Sequence, residues 1–448
     1  MKTELSDNFG KTKVSEICIL LLFIFSLKFI FSPLNTTQLV VGFMLCSGVL
    51  VWKKVYFFYS VTAMRHLFPF LILAAYVTLS TLLISGRSIA NMSNIFLIVF
   101  QVIIGAYLVT FFFFNDQNQL TVERLLFLLL IVFGLQGFFI LLNFAIPAYR
   151  DFMFKILPMS GNIEAGTTIS LFRVRGLTQG TGASVSAFIS YGFLIGGYFL
   201  AVGGLGNRDR AIIYVCLFFI FIGLLFTGRT GLLMIPLSAL LYYMILLVKR
   251  KFTWRHLSLI VFAPVIVAII YLTLKGIYML VTDGGIILPN GTDLLAKWEG
   301  WAFGEFMSYF DGRDSSVHTL SILRSFLFIP VDDRTFLFGD PGTWSVVRSD
   351  IGYIRNLFAL GVFGASLNYI AFASVYFYML RTAKVMELKL FLAASLTWQA
   401  FIEMKEPLFN NLMFVSFIML LFFVTMRNEA GAPTCVPTSS SDNNAAFH

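Results

Sequence analysis

The chain has 448 residues, 58% of them apolar and only 12% Asp, Glu, Lys or Arg, against the roughly 25% charged share of a soluble domain. A soluble fold is excluded: at a mean hydropathy of +0.85 and with 52 Phe spread along the chain, the apolar residues exceed what one core can hide from water. The net charge of +9 falls mostly at the ends of apolar runs, which marks membrane topology and excludes a nucleic-acid partner.

Residues 1–16 are polar and mixed in charge, a cytoplasmic tail, and the first apolar run ends without a small-residue cleavage site. That run therefore reads as a retained helix rather than a signal peptide. Apolar runs near 20 residues predict membrane spans at 17–31, 38–52, 67–85, 95–114, 125–146, 184–203, 211–227, 232–248, 257–281, 351–380, 388–401 and 408–426. The expected fold is all-α, a polytopic transmembrane helix bundle of about 12 spans over residues 17–427.

Basic residues cluster in alternate connections: Lys53, Lys54 and Arg65; Arg124; Arg208 and Arg210; Lys249, Arg250, Lys251 and Arg255; Arg381, Lys384 and Lys389; then Arg427. The positive-inside rule makes that side cytoplasmic and brings both termini to it. Residues 428–448, rich in Ala, Pro, Ser and Asn, read as a disordered cytoplasmic tail. Cys18, Cys46, Cys216 and Cys435 have no CxxC or CxxH neighbour, so neither a disulfide framework nor a metal site is expected.

On the opposite side the connections are short except for loops 147–183 and 282–350. Long loops in a tightly connected bundle are where function is expected. The larger one mixes Trp298, Trp301, Phe303 and Phe306 with charges, and 302–309 fits an amphipathic helix at the interface. No internal repeat is visible, which speaks against an inverted-repeat transporter.

The first long loop holds Arg173-Val174-Arg175-Gly176 and, shortly after, Gly180-Thr181-Gly182-Ala183-Ser184. Two arginines spaced i, i+2 on an extended stretch point the same way, so one polyanion can meet both guanidinium forks while the glycines let backbone amides come close. The glycine spacing fits neither a P-loop nor a dinucleotide fingerprint. The structural alternative is that Arg173 and Arg175 snorkel to lipid headgroups. Next, Arg229 stands in Phe226-Thr-Gly-Arg-Thr-Gly231 between two apolar runs. An unpaired arginine at that depth costs roughly 2.5–3.5 kcal/mol, so it should face a cavity, a partner anion or a carboxylate.

The large loop adds Arg313, His318, Arg324, Asp332, Asp333, Arg334 and Arg348, and the following span opens on Asp350-Ile-Gly-Tyr353-Ile-Arg355-Asn356. If the chemistry needs an outer base, His318 and Asp350 are the candidates. Against them stand an ordinary solvated histidine and a helix-capping or Arg355-paired aspartate. Adjacent Asp332 and Asp333 point apart and make a poor metal site. An arginine-rich outer face without a metal suits a lipid-linked phosphate or pyrophosphate.

Taken together, the many spans, the large outer loop before the last few, Arg175-Gly-Leu, Phe-Thr-Gly-Arg-Thr-Gly, and Leu337-Phe-Gly followed by Ser349-Asp-Ile-Gly-Tyr resemble the O-antigen polymerase (Wzy-type) family, related to the O-antigen ligases. The resemblance implies a bacterial inner-membrane glycosyltransferase of the GT-C class with two long periplasmic loops, working without metal, nucleotide sugar or other cofactor. Such enzymes transfer a growing glycan from undecaprenyl pyrophosphate to the non-reducing end of a new lipid-linked repeat unit. A chain-length regulator and a flippase of the same pathway would be partners.

By motif position, the resemblance implies substrate binding by Arg173 or Arg175, by Arg229 and by large-loop arginines among Arg313, Arg324, Arg334, Arg348 and Arg355, with Asp350 and Tyr353 in the Asp-x-Gly-Tyr segment. The regular arginine-to-glycine spacings of some members do not fit from Arg175 or Arg334. A ligase acting on lipid A core through His318 is the alternative within the same class; a lipid-linked oligosaccharide flippase or another transporter is the alternative outside it.

Overall fold

The computed structural model describes residues 13–51, 60–85, 90–110, 120–157, 174, 176–178, 182–251, 325–343, 347, 349 and 351–430. Among them every regular element is a helix, and seven helices are long and apolar enough to cross a membrane. The expected span 257–281 and the interfacial segment 302–309 lie outside the described residues.

In chain order the first helices are α1 (Val14–Phe25), α2 (Thr36–Val51), α3 (Ser60–Ser80, prolonged by the π-helical Thr81–Ser85) and α4 (Ala90–Phe96), which passes through π-helical Leu97–Ile103 into α5 (Ile104–Leu108). Next come α6 (Val122–Ala145), α7 (Pro147–Ile156), α8 (Ala183–Ile189), α9 (Tyr191–Val202), α10 (Asn207–Thr227) and α11 (Met234–Val248). The last are α12 (Asp333–Phe338), α13 (Gly352–Thr382), α14 (Met386–Glu403) and α15 (Leu412–Ala430). α6 lies along α10, α9 along α11 and α3 along α13.

The helices differ from the apolar runs where polar groups intervene. The run 17–31 yields a helix only to Phe25, because Ser26 turns left-handed (φ 48°, ψ 51°) and two threonine hydroxyls take up the helix's last carbonyls. Thr36 Oγ1 donates to Leu22 O and Thr37 Oγ1 to Phe23 O, both at 2.7 Å. The long loop that starts at 147 opens as a helix: Pro147 sits in the first turn of α7, where its missing N–H costs nothing, and Ile30 N–H donates to Ile156 O at 2.9 Å. At the other terminus α15 continues to Ala430, past the expected start of the tail at 428.

α13 is kinked. Gly361 has φ +64° inside it, and its backbone packs against that of Leu337 and Gly339 so closely that a Cβ has no room. Tyr76 Oη reaches the carbonyls of Phe338 and Leu360 at 2.7 and 2.9 Å, and Asp340 N–H donates to Phe358 O at 2.8 Å. The kink thus docks α12 onto α13. Gly361→Ala combines a left-handed strain of about 1–2 kcal/mol with that backbone collision, and a clear drop in melting temperature in detergent is expected; a melt matching wild type would contradict this packing.

One end of the bundle is fastened by ion pairs. Arg124 Nη2 meets Glu16 Oε1 at 2.7 Å with both side chains buried, and Lys249 Nζ lies 3.3 Å from Glu387 Oε1 while donating to Val202 O at 2.8 Å. Arg427 Nη1 donates to Thr110 O at 2.8 Å at the same end. Arg124, Lys249 and Arg427, three of the basic residues that sequence patterning assigns to one face, thus each bind a partner from another helix. Between the ends, Phe133, Phe188, Phe414, Phe417 and Tyr191 pack edge-to-face or tilted in the core, the preferred geometry of aromatic pairs.

Candidate functional site

At the other end, α10 stops at Thr227 and Arg229 opens a 3-10 turn, Arg229–Leu233, that runs into α11. The first long loop and α8 hold this junction of α10 and α11 from two sides. On one side Val174 N–H donates to Phe226 O at 3.0 Å, and Thr227 Oγ1 donates to Val174 O at 3.2 Å and to Gly223 O at 2.8 Å. On the other, the Ser186 hydroxyl donates to Gly228 O and accepts Gly231 N–H at 2.9 Å. Ser186 is fully buried, and a Cβ on Gly231 would collide with its carbonyl and hydroxyl oxygens. Between the anchors Leu177 N–H donates to Gln136 Oε1 on α6 at 2.9 Å.

The Thr-Gly-Arg-Thr-Gly pattern is thus explained from below. Its threonines are buried and its second glycine lets α8 come close, so the turn has one shape. Ser186→Ala removes a donor and an acceptor that serve two main-chain groups at once. Leaving those groups unpaired in a dry place costs about 1–3 kcal/mol, to be read as a lowered denaturation midpoint in detergent, whereas an unchanged midpoint would show that the clasp does not depend on this hydroxyl.

The second locus lies where α13 begins. Glu403, at the end of α14, is fully buried. Its Oε2 accepts Leu408 N–H at 2.6 Å and Phe409 N–H at 3.1 Å, and its Oε1 accepts Asn356 Nδ2 at 2.9 Å. Asn356 Oδ1 accepts Asn410 Nδ2 at 2.6 Å, and the Asn410 carbonyl accepts Asn94 Nδ2 at 3.0 Å. Tyr353 is partly exposed; its hydroxyl donates to Ala400 O at 2.9 Å, and its ring lies 5.4 Å from that of Tyr369. Arg355 Nε donates to Ser349 O at 2.6 Å, which ties the start of α13 to the loop before it.

A side chain between α14 and α8 joins the two loci. Trp398, fully packed one turn before Glu403, donates Nε1–H to Ala187 O at 3.2 Å, next to Ser186. Turn and carboxylate therefore belong to the same end of one packed unit.

The sequence-derived candidates distribute unevenly. The Arg229 turn, Tyr353 and Arg355 stand at this end; Arg334 is exposed in the first turn of α12, on the flank where that helix docks on α13. Asp332 caps α12, accepting Thr335 N–H at 2.9 Å and Thr335 Oγ1–H at 3.0 Å, bonds that hold its carboxyl below the usual aspartate range. Arg173, Arg175, Arg313, His318, Arg324, Arg348 and Asp350 lie outside the described residues. Among the described residues no group of three or more His, Cys, Asp or Glu side chains gathers as a metal centre would require.

Ser186, Asn356, Asn410 and Glu403 were not among the residues expected from sequence. A signal existed for Glu403: Ser395, Gln399 and Glu403 recur every fourth residue along α14, and all three are fully buried. Such a buried polar stripe is costly unless it is paired and therefore points to an internal role. No family model matches the chain, and a search of curated proteins finds no match either.

Proposed function

We propose that the chain is a membrane glycosyltransferase of the O-antigen polymerase type, elongating a glycan on undecaprenyl pyrophosphate at the periplasmic face of a bacterial inner membrane. The observation that carries this reading is the docking of Val174 on Phe226 and Thr227. It ties Val174, the middle residue of Arg173-Val-Arg175, to the end of α10 just before Arg229.

In this reading the bundle has twelve crossings. The seven long helices alternate with three shorter apolar ones, 14–25, 36–46 and 92–108, with α14, and with the apolar run 257–281. Both termini are cytoplasmic, because the ion-paired end carries the basic connections.

Arginines of the first loop and Arg229, joined by large-loop arginines, bind the donor pyrophosphate and offset the negative charge that builds on it as the bond from the sugar C1 to the phosphate oxygen breaks. The acceptor's sugar hydroxyl forms the new bond to C1 and loses its proton to Asp350 or His318. Polyprenyl pyrophosphate is a good leaving group, so charge stabilisation outweighs the base.

Arg175→Ala is expected to leave single-repeat glycans in a strain lacking the native gene, with partial recovery in Arg175→Lys, because a lysine supplies charge without the two-pronged fork. Gel profiles of the surface polysaccharide provide the check; full-length ladders from Arg175→Ala would count against the loop's role.

A further inference from the structure

The chain just before α12 carries an apolar strip that the bundle leaves open. Leu327, Ile329 and Val331 are 63%, 63% and 101% exposed, whereas Pro330 is buried and the ring of Phe328 packs on that of Phe358 in α13 at 5.3 Å. This alternation is that of an extended stretch, in which every second side chain shares a side. The stretch is fixed before its start, where Ser349 Oγ donates to Phe326 O at 3.2 Å, and after its end, where Asp332 caps α12. Three large apolar side chains side by side are costly to leave in water, and such a patch marks an interaction surface.

The height of the strip follows from α13, on which it rests. α13 has 31 residues, about 46 Å of helix, whereas a hydrocarbon core takes up only about 30 Å, or roughly 20 residues. Counted back from Arg381 in its last turn, the core ends close to Gly361. Phe358 and Phe363 stand on either side of that point, and their partners Phe328 and Phe338 lie 5.3 and 5.6 Å from them. Phe338 and Phe363 are themselves about half exposed, so the apolar surface of the loop continues that of a spanning helix. The adjoining Asp332, Asp333 and Arg334 are all exposed.

We propose that residues 327–338 form an interfacial anchor. Leu327, Ile329 and Val331 enter the boundary between lipid head groups and acyl chains, and Asp332, Asp333 and Arg334 stay in the water above it. The large loop thus returns to the bundle along the lipid surface. Two acids against one base offer no attraction to anionic lipid, so the anchor is apolar and works on a zwitterionic bilayer. It requires only a bundle seated in a membrane and stands apart from the glycosyltransferase reading.

The test uses the full-length protein with Cys18, Cys46, Cys216 and Cys435 replaced by alanine and one new cysteine, Val331→Cys or Asp333→Cys, carrying an environment-sensitive fluorophore. In phosphatidylcholine vesicles the Val331→Cys label is expected to emit further to the blue and to lose most of its emission to a lipid bearing a nitroxide at head-group depth, while aqueous iodide barely affects it. The Asp333→Cys label is expected to respond the opposite way. Equal iodide quenching at both positions would put the strip in water and overturn the proposal. Protection of the Val331→Cys label from both quenchers would overturn it too, because protein, either residues 282–324 or another chain, then covers the strip. If the cysteine-free protein does not fold, Val331→Trp in the otherwise native chain decides: added fluorescence quenched by brominated lipid supports the anchor, and added fluorescence quenched by iodide alone, or by neither, overturns it.

Discussion

Arg229→Ala is expected to slow elongation by roughly two to three orders of magnitude, the loss that follows removal of a single preorganised charge-stabilising donor. The turn is built around this residue: Ser186 holds Gly228 and Gly231 on either side of it, and Thr227 is tied to both Val174 and Gly223. With the frame made by its neighbours, the alanine variant should fold, and its melt should match wild type within the spread of surface substitutions. Arg229→Lys should recover a minor part of the rate, since an ammonium carries the charge but cannot form parallel bonds to a phosphate. A loss of rate that merely follows a loss of folded protein would mean that Arg229 is structural.

The largest loss of stability is expected at the opposite end. Glu16→Ala leaves Arg124 buried without its carboxylate, and breaking a buried pair from one side costs about 3–5 kcal/mol. Glu16 also accepts Lys13 N–H at 3.2 Å in the first turn of α1, so its loss loosens that helix start as well. Glu16→Ala with Arg124→Leu should recover much of the loss, because the uncompensated charge is then gone. Thermal melts of the two variants provide the comparison. The exposed pair Arg150–Asp151, at 4.0 Å, should by contrast be almost neutral to substitution.

Much of the bundle is legible in the sequence because lipid imposes a length on each apolar run. The helices α6, α10, α11 and α15 fall close to their runs for this reason. Departures occur where a polar side chain decides the boundary. Thr36 and Thr37 end α1 from across a hairpin, and nothing in the run 17–31 announces them. Gly361 reads as one more small residue in an apolar stretch; only its packing on Gly339 across the preceding loop makes it a kink.

The candidate site follows the same logic. Arg229, Tyr353 and Arg355 are visible because a charge or a turn in an apolar setting is conspicuous. Ser186 is not, because its partners Gly228 and Gly231 lie more than 40 positions away, and a lone serine in a small-residue helix has no signature. Glu403 is visible as a charge near a span end and as the last of three polar residues spaced four apart; its bond to Asn356, 47 positions away, belongs to the fold.

The most direct test of the central claim is elongation by the purified full-length protein in proteoliposomes that hold only undecaprenyl-pyrophosphate-linked repeat units, with no nucleotide sugar and with chelator present. The expected result is a ladder of lipid-linked glycans that lengthens with time and is lost in Arg229→Ala. Unchanged single repeats with a well-folded wild-type protein, or a ladder equally strong in Arg229→Ala, would contradict the account.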